Sequence, residues 1–177
     1  GMTRELLDRI SFCKTGKVVL RIERVDLAGL VREVAQSAEA FHPVELSVGA
    51  EPVEGWWCGD AIRRAVENLV NNAIKYGSSD APVRLVVSTT QERVQVVVHN
   101  QGDPIAPEDS ESIFQLYRRA GSQGPGGGWG VGLPYVRRVA EAHGGSVLMS
   151  SSQDDGTVFV IDIPIDARPF KGAPTAA

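Results

Sequence analysis

Two asparagines and a lysine on one helix are the first residues in this chain whose types and spacing suggest chemistry. In the run Ala61–Tyr76, AIRRAVENLVNNAIKY, Ile62, Ala65, Leu69 and Ala73 recur at helical spacing, and Val66 and Val70 widen that apolar stripe. Asn68, Asn72 and Lys75 then fall on a narrow polar stripe that reads as opposite it. A solvated helix face usually carries Glu, Lys and Arg. Asparagine is a poor helix former because its amide competes for backbone groups. Two of them a turn apart cost helix stability and call for a reason. An amide oxygen is a hard, neutral ligand suited to Mg²⁺ that phosphates also hold. A lysine one turn on would meet those phosphates as a point charge. The bland alternative is a polar helix face with a chance asparagine pair.

The second unusual stretch is GGGWGVGLP, Gly126–Pro134. Gly128, Gly130 and Gly132 alternate, and Pro134 sits where a first helical turn begins. The helix is expected to run to His143 with Leu133, Val136, Val139 and Ala140 turned inward. A glycine-rich lead into a helix N-terminus exposes backbone N–H groups, and with the helix dipole these make an anion site. Flexible linkers look similar; the amphipathic helix directly behind this one favours the anion site. Ahead of it, residues 100–132 hold only one short helical piece, about Asp109–Arg118. Loops of that length in compact domains are usually functional or disordered.

The elements that must position these groups follow from periodicity. Gly59-Asp60 supplies a turn and an N-cap for the central helix, and Gly77 stops it. Thr3–Cys13 reads as a short helix with Leu6, Leu7 and Ile10 on one face, and Val18–Ile22 as a short strand. Asp26 caps a helix from Leu27 to about Phe41, which His42-Pro43 ends; Val44–Val48 is a strand, and Glu51–Gly59 a loop holding Trp56 and Trp57. Val83–Thr89 and Val94–His99 read as a β-hairpin, and Ser146–Ser151 and Thr157–Ile163 as a second pair of strands. Beyond Asp166 the chain reads as a flexible tail.

Composition limits the function classes. A chain of 177 residues can bury one real core, and its net charge of −4 leaves no basic footprint for nucleic acid and no polybasic membrane patch. Cys13 and Cys58 make neither a disulfide framework nor a metal spacing, and no stretch is long and apolar enough for a membrane span. Gly1 before Met2 reads as a cloning remnant, and the natural protein is expected to be longer.

Five segments occur in an order that resembles a known family: NLVNNAIKYG, VHNQGDPI, SIFQLYRR, GGWGVGLPYVRRVAEAHGGSV and DGTVFVIDIP. Together they resemble the catalytic, ATP-binding domain of bacterial two-component sensor histidine kinases. That domain belongs to the superfamily shared with gyrase, a heat-shock chaperone and mismatch-repair ATPases. The likeness runs from about Val18 to Pro164, with VVLRIERVDLAGLV resembling the lead-in from dimerisation helices. It implies an α+β fold of the Bergerat type: a two-layer α/β sandwich, with a mixed sheet of about five strands and three helices on one face. The implied domains are residues 1–16 as the end of a dimerisation-type helix, 17–166 as the ATP-binding domain and 167–177 as a tail.

The resemblance also implies roles. Asn72 would ligate Mg²⁺ with Asn68 its partner, and Lys75 and Tyr76 would lie beside phosphate and base. Asn100 stands where the family usually has the aspartate that accepts the adenine 6-amino group, and Pro104 where that box has a further glycine. Gly102 would let backbone approach the base, Ile105 would pack on adenine, and Phe114 and Arg118 would open a lid at about residues 121–127. Gly128, Gly130 and Gly132 would cradle phosphates, Leu133 would close the base pocket and Thr157 would help fix adenine, often through water. An amide at position 100 keeps a carbonyl acceptor but no charge; free to turn over, it is expected to relax the preference for adenine over guanine.

The function so implied is γ-phosphoryl transfer from Mg·ATP to a histidine nitrogen on a dimerisation domain absent from this chain. A response-regulator receiver domain would be the later partner, and nucleic acid and direct membrane insertion are not expected. The setting would be the cytoplasm, in a parent kinase that itself could be membrane-bound. His42, His99 and His143 stand in none of the acceptor's usual settings. His143 in HGGS reads as an imidazole placed to suit the dipole at a helix C-terminus. The alternatives are an anti-sigma-type serine kinase on the same domain and a non-catalytic nucleotide-binding module.

Overall fold

The apolar residues of three long strands alternate with a period of two, and that alternation builds the core. The computed structural model describes residues 20–49, 51–102 and 132–170. In chain order the elements are β1 (Glu23–Asp26), α1 (Leu27–Ala38), β2 (Val44–Ser47), β3 (Glu54–Trp57) and α2 (Gly59–Tyr76). They continue with β4 (Val83–Thr89), β5 (Arg93–Asn100), α3 (Gly132–Ala142), β6 (Ser146–Ser152) and β7 (Gly156–Pro164), and end in a 3₁₀ turn, Arg168–Phe170. The main sheet has the order β2-β4-β5-β7-β6. β2 runs parallel to β4 and every other pairing is antiparallel, so the sheet is mixed.

Register stacks the apolar positions into rows across this sheet. Leu85, Val98, Phe159 and Met149 form one row, and Val87, Val96, Ile161 and Val147 the next. Leu85, Val98, Phe159, Val87, Val96 and Ile161 are buried, whereas Met149 and Val147 on the edge strand are partly buried, as are alternate positions such as Gln95, Val97 and Asp162. The three described α-helices cover the buried face: α2 lies against β4 and β5, α3 against β6 and β7, and α1 against β2 and β4. This is the two-layer α/β sandwich that the motifs imply.

The structure departs from the sequence reading at several element ends. The first strand is Glu23–Asp26, where pairing with β3 is available, rather than Val18–Ile22; residues 20–22 are unpaired. The Trp56-Trp57 segment is a strand, not a loop. β1 pairs with one side of it, while Trp56 N–H donates to Ile165 O (2.9 Å) and Ala167 N–H to Trp56 O (3.0 Å) on the other. Trp57 is buried and its indole N–H donates to Pro164 O at 2.8 Å. The tail is therefore docked as far as residue 170: Ala167 is buried, and the Arg168 guanidinium lies 4.2 Å from the Trp56 ring centroid. Asp26 precedes α1 without capping it. Its carboxylate instead accepts the Val53 N–H at 2.9 Å and fastens the approach to β3. α1 itself stops at Ala38, short of Phe41. The expected helix at residues 3–13 and the helical piece at residues 109–118 lie outside the described residues.

His143 corrects a chemical expectation. It is fully buried at the end of α3, where Gly144 (φ 82°) turns the chain and Gly145 N–H donates to Ala140 O at 2.8 Å, a left-handed glycine cap. The ring does not sit charged against the helix dipole. Nδ1 donates to Val139 O (2.8 Å), and Nε2 accepts the N–H of Cys58 (3.0 Å), the residue at the N-cap position of α2. An imidazole that accepts at one nitrogen is neutral. Burial lowers its pKa against a smaller upward pull from the Val139 carbonyl. α2 thus begins one residue before Asp60, with Cys58 at its N-cap position but no side-chain cap, and is tied across to α3 through the Cys58 N–H.

This buried neutral ring gives the fold a pH dependence. The folded pKa lies below the unfolded value, so the unfolded chain binds the extra proton first. Stability is complete above the ordinary histidine range near pH 6.5 and falls as pH drops below it. Urea midpoints from pH 8 to pH 5 should show this loss, and His143→Gln, which keeps an acceptor but does not titrate, should flatten it. His143→Ala should cost about 1–3 kcal/mol at pH 8 from the orphaned Cys58 N–H alone. A midpoint as pH-sensitive in the Gln variant as in the native chain would contradict this account.

Candidate functional site

Continuing the alternation of β5, β7 and β6 to their ends brings three polar residues onto the core side of the sheet. Asn100 follows Val94, Val96 and Val98; Thr157 precedes Phe159, Ile161 and Ile163; Ser151 follows Val147 and Met149. Register sets Asn100 opposite Thr157, and Thr157 opposite Ser151. Asn100 and Thr157 are buried, at 8% and 4% exposure, and Thr157 Oγ1 lies 2.7 Å from Ser151 Oγ. A polar row at the rim of an apolar face is where a ligand edge can be read by hydrogen bonds.

The end of α2 is pressed against this row. Ser78 N–H donates to Gln101 O at 2.6 Å, and Gly102, at φ 140°, has room only for hydrogen because a Cβ there would come within 3.1 Å of the Gly77 Cα. Gly77 itself is extended (φ −83°, ψ 177°) and is required for closeness: a Cβ on it would lie 3.0 Å from the Asn100 side chain. Two glycines therefore let helix end and strand end meet. Lys75 is exposed, and its Nζ sits 5.3 Å from the Tyr76 ring centroid.

On α2 the polar stripe lies on the shoulder of the apolar one, about a third of a turn round, rather than opposite it. Asn68 and Asn72 are accordingly half-buried. Among the described residues, Asn72 Nδ2 is the one buried side-chain polar atom without a hydrogen-bond partner. Leaving such a donor unmade costs about 1–3 kcal/mol. An oxygen of a bound anion would satisfy it. No cluster of three or more His, Cys, Asp or Glu occurs among the described residues. A hard cation here would therefore need an amide oxygen together with oxygens that the ligand brings, and the Asn72 amide fits that description.

One hydrogen bond orients the Asn100 amide. Its Nδ2 donates to Gln101 O at 3.1 Å, and Oδ1 accepts no hydrogen bond among the described residues. The amide cannot turn over without setting its oxygen against the Gln101 carbonyl. The free turning expected from sequence is thus opposed by the adjoining backbone, and position 100 presents an acceptor.

At the start of α3, Leu133 is fully buried and Tyr135 is buried beside Arg64 of α2. Burial raises the Tyr135 phenol pKa, and the Arg64 guanidinium, by charge and hydrogen bond, pulls it partly back. Gly132 opens the helix as its first residue. Ile105, Phe114, Arg118, Gly128, Gly130, Pro104 and the expected lid lie outside the described residues. A hollow of about 410 Å³ lies elsewhere, between α1 and α2, lined by Val34, Phe41, Arg64, Asn68 and Asn71 among others. Of the expected site residues it includes Asn68 alone.

Comparison with known proteins places the fold in a family. The family model for histidine kinase-, DNA gyrase B-, and HSP90-like ATPases matches residues 59–167. The chain belongs to this family. It is 37% identical over 129 residues to the adaptive-response sensory kinase SasA of a Synechococcus strain, covering 72% of this chain and 32% of that protein. It is 38% identical over 105 residues to the sensor histidine kinase CusS of Escherichia coli K12, covering 58% of this chain and 22% of that one. The chain thus spans about a third or less of the length of these relatives. Among solved structures, a catalytic domain of histidine kinase ThkA superposes with a TM-score of 0.73 at 25% identity, covering 83% of this chain and 99% of that one. Full-length ShkA in complex with AMPPNP gives 0.75 at 25% identity, covering 90% and 35%. This is the ATP-binding catalytic domain of the sensor-histidine-kinase type, and the fold implied by the motifs is the fold observed.

Sequence reasoning passed over Ser151 and the cross-helix role of His143. Ser151 carried a signal, since it continues the inward series Val147, Met149. His143 carried none, because its partner Cys58 is 85 residues away.

An unpartnered donor in α2 should cost stability in the ligand-free domain. Asn72→Ala removes it and also replaces a poor helix former with the best one. The ligand-free variant should be more stable by about 1 kcal/mol in urea unfolding. A ligand-free variant less stable than the native chain would show that the amide has a partner after all.

Proposed function

We propose that this domain binds Mg·ATP and supplies the γ-phosphoryl group to a histidine on the dimerisation domain of its parent kinase. The observation that carries this reading is the buried, unpartnered Nδ2 of the half-buried Asn72, on the same helix whose end abuts the Asn100–Thr157 row. Asn100 Oδ1 would accept the adenine 6-amino group, with the Thr157 hydroxyl beside it. Gly102 lets backbone close on the base, and Leu133 and Ile105 would contact its apolar surface. Asn72 would hold Mg²⁺ through Oδ1, with Asn68 one turn earlier, and Nδ2 would donate to a phosphate oxygen. Lys75, Tyr76 and Arg118 would neutralise or line the phosphates, and the backbone at Gly128, Gly130 and Gly132 would cradle them.

The chemistry asked of these residues is positioning and charge neutralisation. The acceptor imidazole nitrogen forms the N–P bond as the bridging P–O bond to the β-phosphate breaks. ADP leaves with that electron pair, and the imidazole proton passes to a base on the acceptor domain or to water. Mg²⁺, when bound, offsets charge on the β- and γ-phosphates. Asn100 in place of a carboxylate gives up a charge-assisted bond but avoids most of the cost of burying a charge. Residues 1–16 would be the end of a dimerisation-type helix, and residues 17–170 the catalytic domain with its docked tail. A receiver domain would take the phosphoryl group onward. A cytoplasmic setting follows from where ATP and such receivers are found. No described helix is long and apolar enough to cross a membrane.

Titration calorimetry with a non-hydrolysable ATP analogue should show binding that strengthens with Mg²⁺. Asn72→Ala should keep the fold and lose that dependence. Affinity indifferent to Mg²⁺ in both proteins would sink the metal assignment. In a labelling assay with γ-labelled ATP, the chain alone should stay unlabelled, whereas the parent's dimerisation domain supplied in trans should gain acid-labile, base-stable phosphate. Stable label on a partner serine would favour the sigma-factor-binding kinase instead, and phosphate on His42, His99 or His143 would contradict the division of roles.

A further inference from the structure

The Ser151–Thr157 pair bears on which purine this domain accepts. The inference rests on the reading that the Asn100–Thr157 row meets the purine edge of a nucleotide. Adenine presents a donor, its 6-amino group, beside an acceptor, N1. Hypoxanthine and guanine present the reverse, a 6-oxo acceptor beside an N1–H donor. A site that selects adenine therefore needs an acceptor next to a donor, each with its polarity held.

Asn100 supplies the acceptor, held by the bond from Nδ2 to Gln101 O. Thr157 must supply the donor, yet a hydroxyl serves either way. It has one hydrogen. If that hydrogen goes to Ser151, the threonine faces the purine as an acceptor only. If Ser151 donates to Thr157, the threonine hydrogen is left for N1, directly or through one water. Thr157 is 4% exposed and Ser151 Oγ stands 2.7 Å away, on the side opposite Asn100 in the row. We propose that Ser151 is a specificity-positioning residue: its hydroxyl donates to Thr157 Oγ1 and so keeps the threonine hydroxyl a donor toward the purine edge.

Calorimetric titration of the 177-residue chain with the Mg²⁺ complexes of ATP and inosine triphosphate tests this. The two differ in the polarity of the 6 and 1 positions and share the triphosphate. The native chain should prefer ATP. Ser151→Ala should lose about 3- to 10-fold of that preference, the worth of one neutral hydrogen bond. Ser151→Thr, which keeps a hydroxyl, should retain it. A merely structural serine would weaken both nucleotides alike, and an unmoved ATP-to-inosine ratio in Ser151→Ala overturns the proposal. A Ser151→Thr variant as permissive as Ser151→Ala overturns it equally. A native chain that binds neither nucleotide removes the functional reading itself, and a native chain that binds ATP without preference removes only the inference.

Discussion

The register of β5 on β7 and of β7 on β6 is the constraint on which the site depends. Side chains in a strand alternate faces, so a slip of one residue would turn the Asn100–Thr157–Ser151 row outward and bring half-exposed positions such as His99 and Val158 inward. What prevents the slip is the apolar content of the neighbouring rows. Val98, Phe159 and Met149 lie immediately behind the polar row, and Val96, Ile161 and Val147 behind them. Moving those six side chains into water would cost far more than the polar row could return, at about 1.5–3 kcal/mol for each large one fully exposed. The sheet's hydrophobic pattern thus holds the polar residues at the rim, and Gly156, where any Cβ would collide with the Asn100 carbonyl oxygen, permits the two strand ends to close.

Helix α2 is held to that rim at both ends by different means. At its N-terminus the Cys58 N–H is accepted by a buried neutral histidine from another helix. The arrangement does the work of the glutamate in a capping box, which satisfies the same N-cap donor from within its own helix. At its C-terminus the Gly77–Gly102 contact and the Ser78–Gln101 hydrogen bond set it against β5. Between these points Ile62, Ala65, Val66, Leu69 and Val70 are buried, so the helix has little freedom to rotate. The shoulder position of Asn68 and Asn72 follows from that packing. A helix that can place an unpartnered amide only half in water accepts lower stability in exchange for a binding group, a common feature of functional sites.

Most of the fold was legible because it is written in local periodicity. The two strand pairs and the apolar faces of α1, α2 and α3 rest on patterns of two or of 3.6 residues, whereas the parallel addition of β2 does not. The motifs supplied the order that periodicity could not. The errors cluster where partners distant in sequence decide the structure. β3 became a strand because residues 165–167 and β1 flank it, and no alternation in EGWW announces that. Asp26 had an N-cap's sequence and spent its carboxylate on Val53. His143 read as an imidazole suited to a helix C-terminal dipole and is a buried acceptor. Within the site, Asn68, Asn72, Lys75, Asn100 and Thr157 were readable as types. The orientation of the Asn100 amide was not, since it depends on the turn that places the Gln101 carbonyl.

That orientation bears on how a neutral residue can stand in for a carboxylate. An aspartate reads adenine by being unable to donate, whatever its surroundings. An asparagine acquires the same one-sidedness only if something else occupies its donor, and here the neighbouring carbonyl does so over one residue of chain. On the proposed reading, the selectivity that charge would impose would be shifted onto backbone geometry, which Gly102 at φ 140° and the Ser78–Gln101 bond help to hold. The Thr157 hydroxyl, neutral as well, poses the same problem one strand over. A site assembled from neutral groups avoids the desolvation of a buried charge. It must then define the direction of every hydrogen bond separately, so polar neighbours such as Gln101 and Ser151 become part of what the row can recognise.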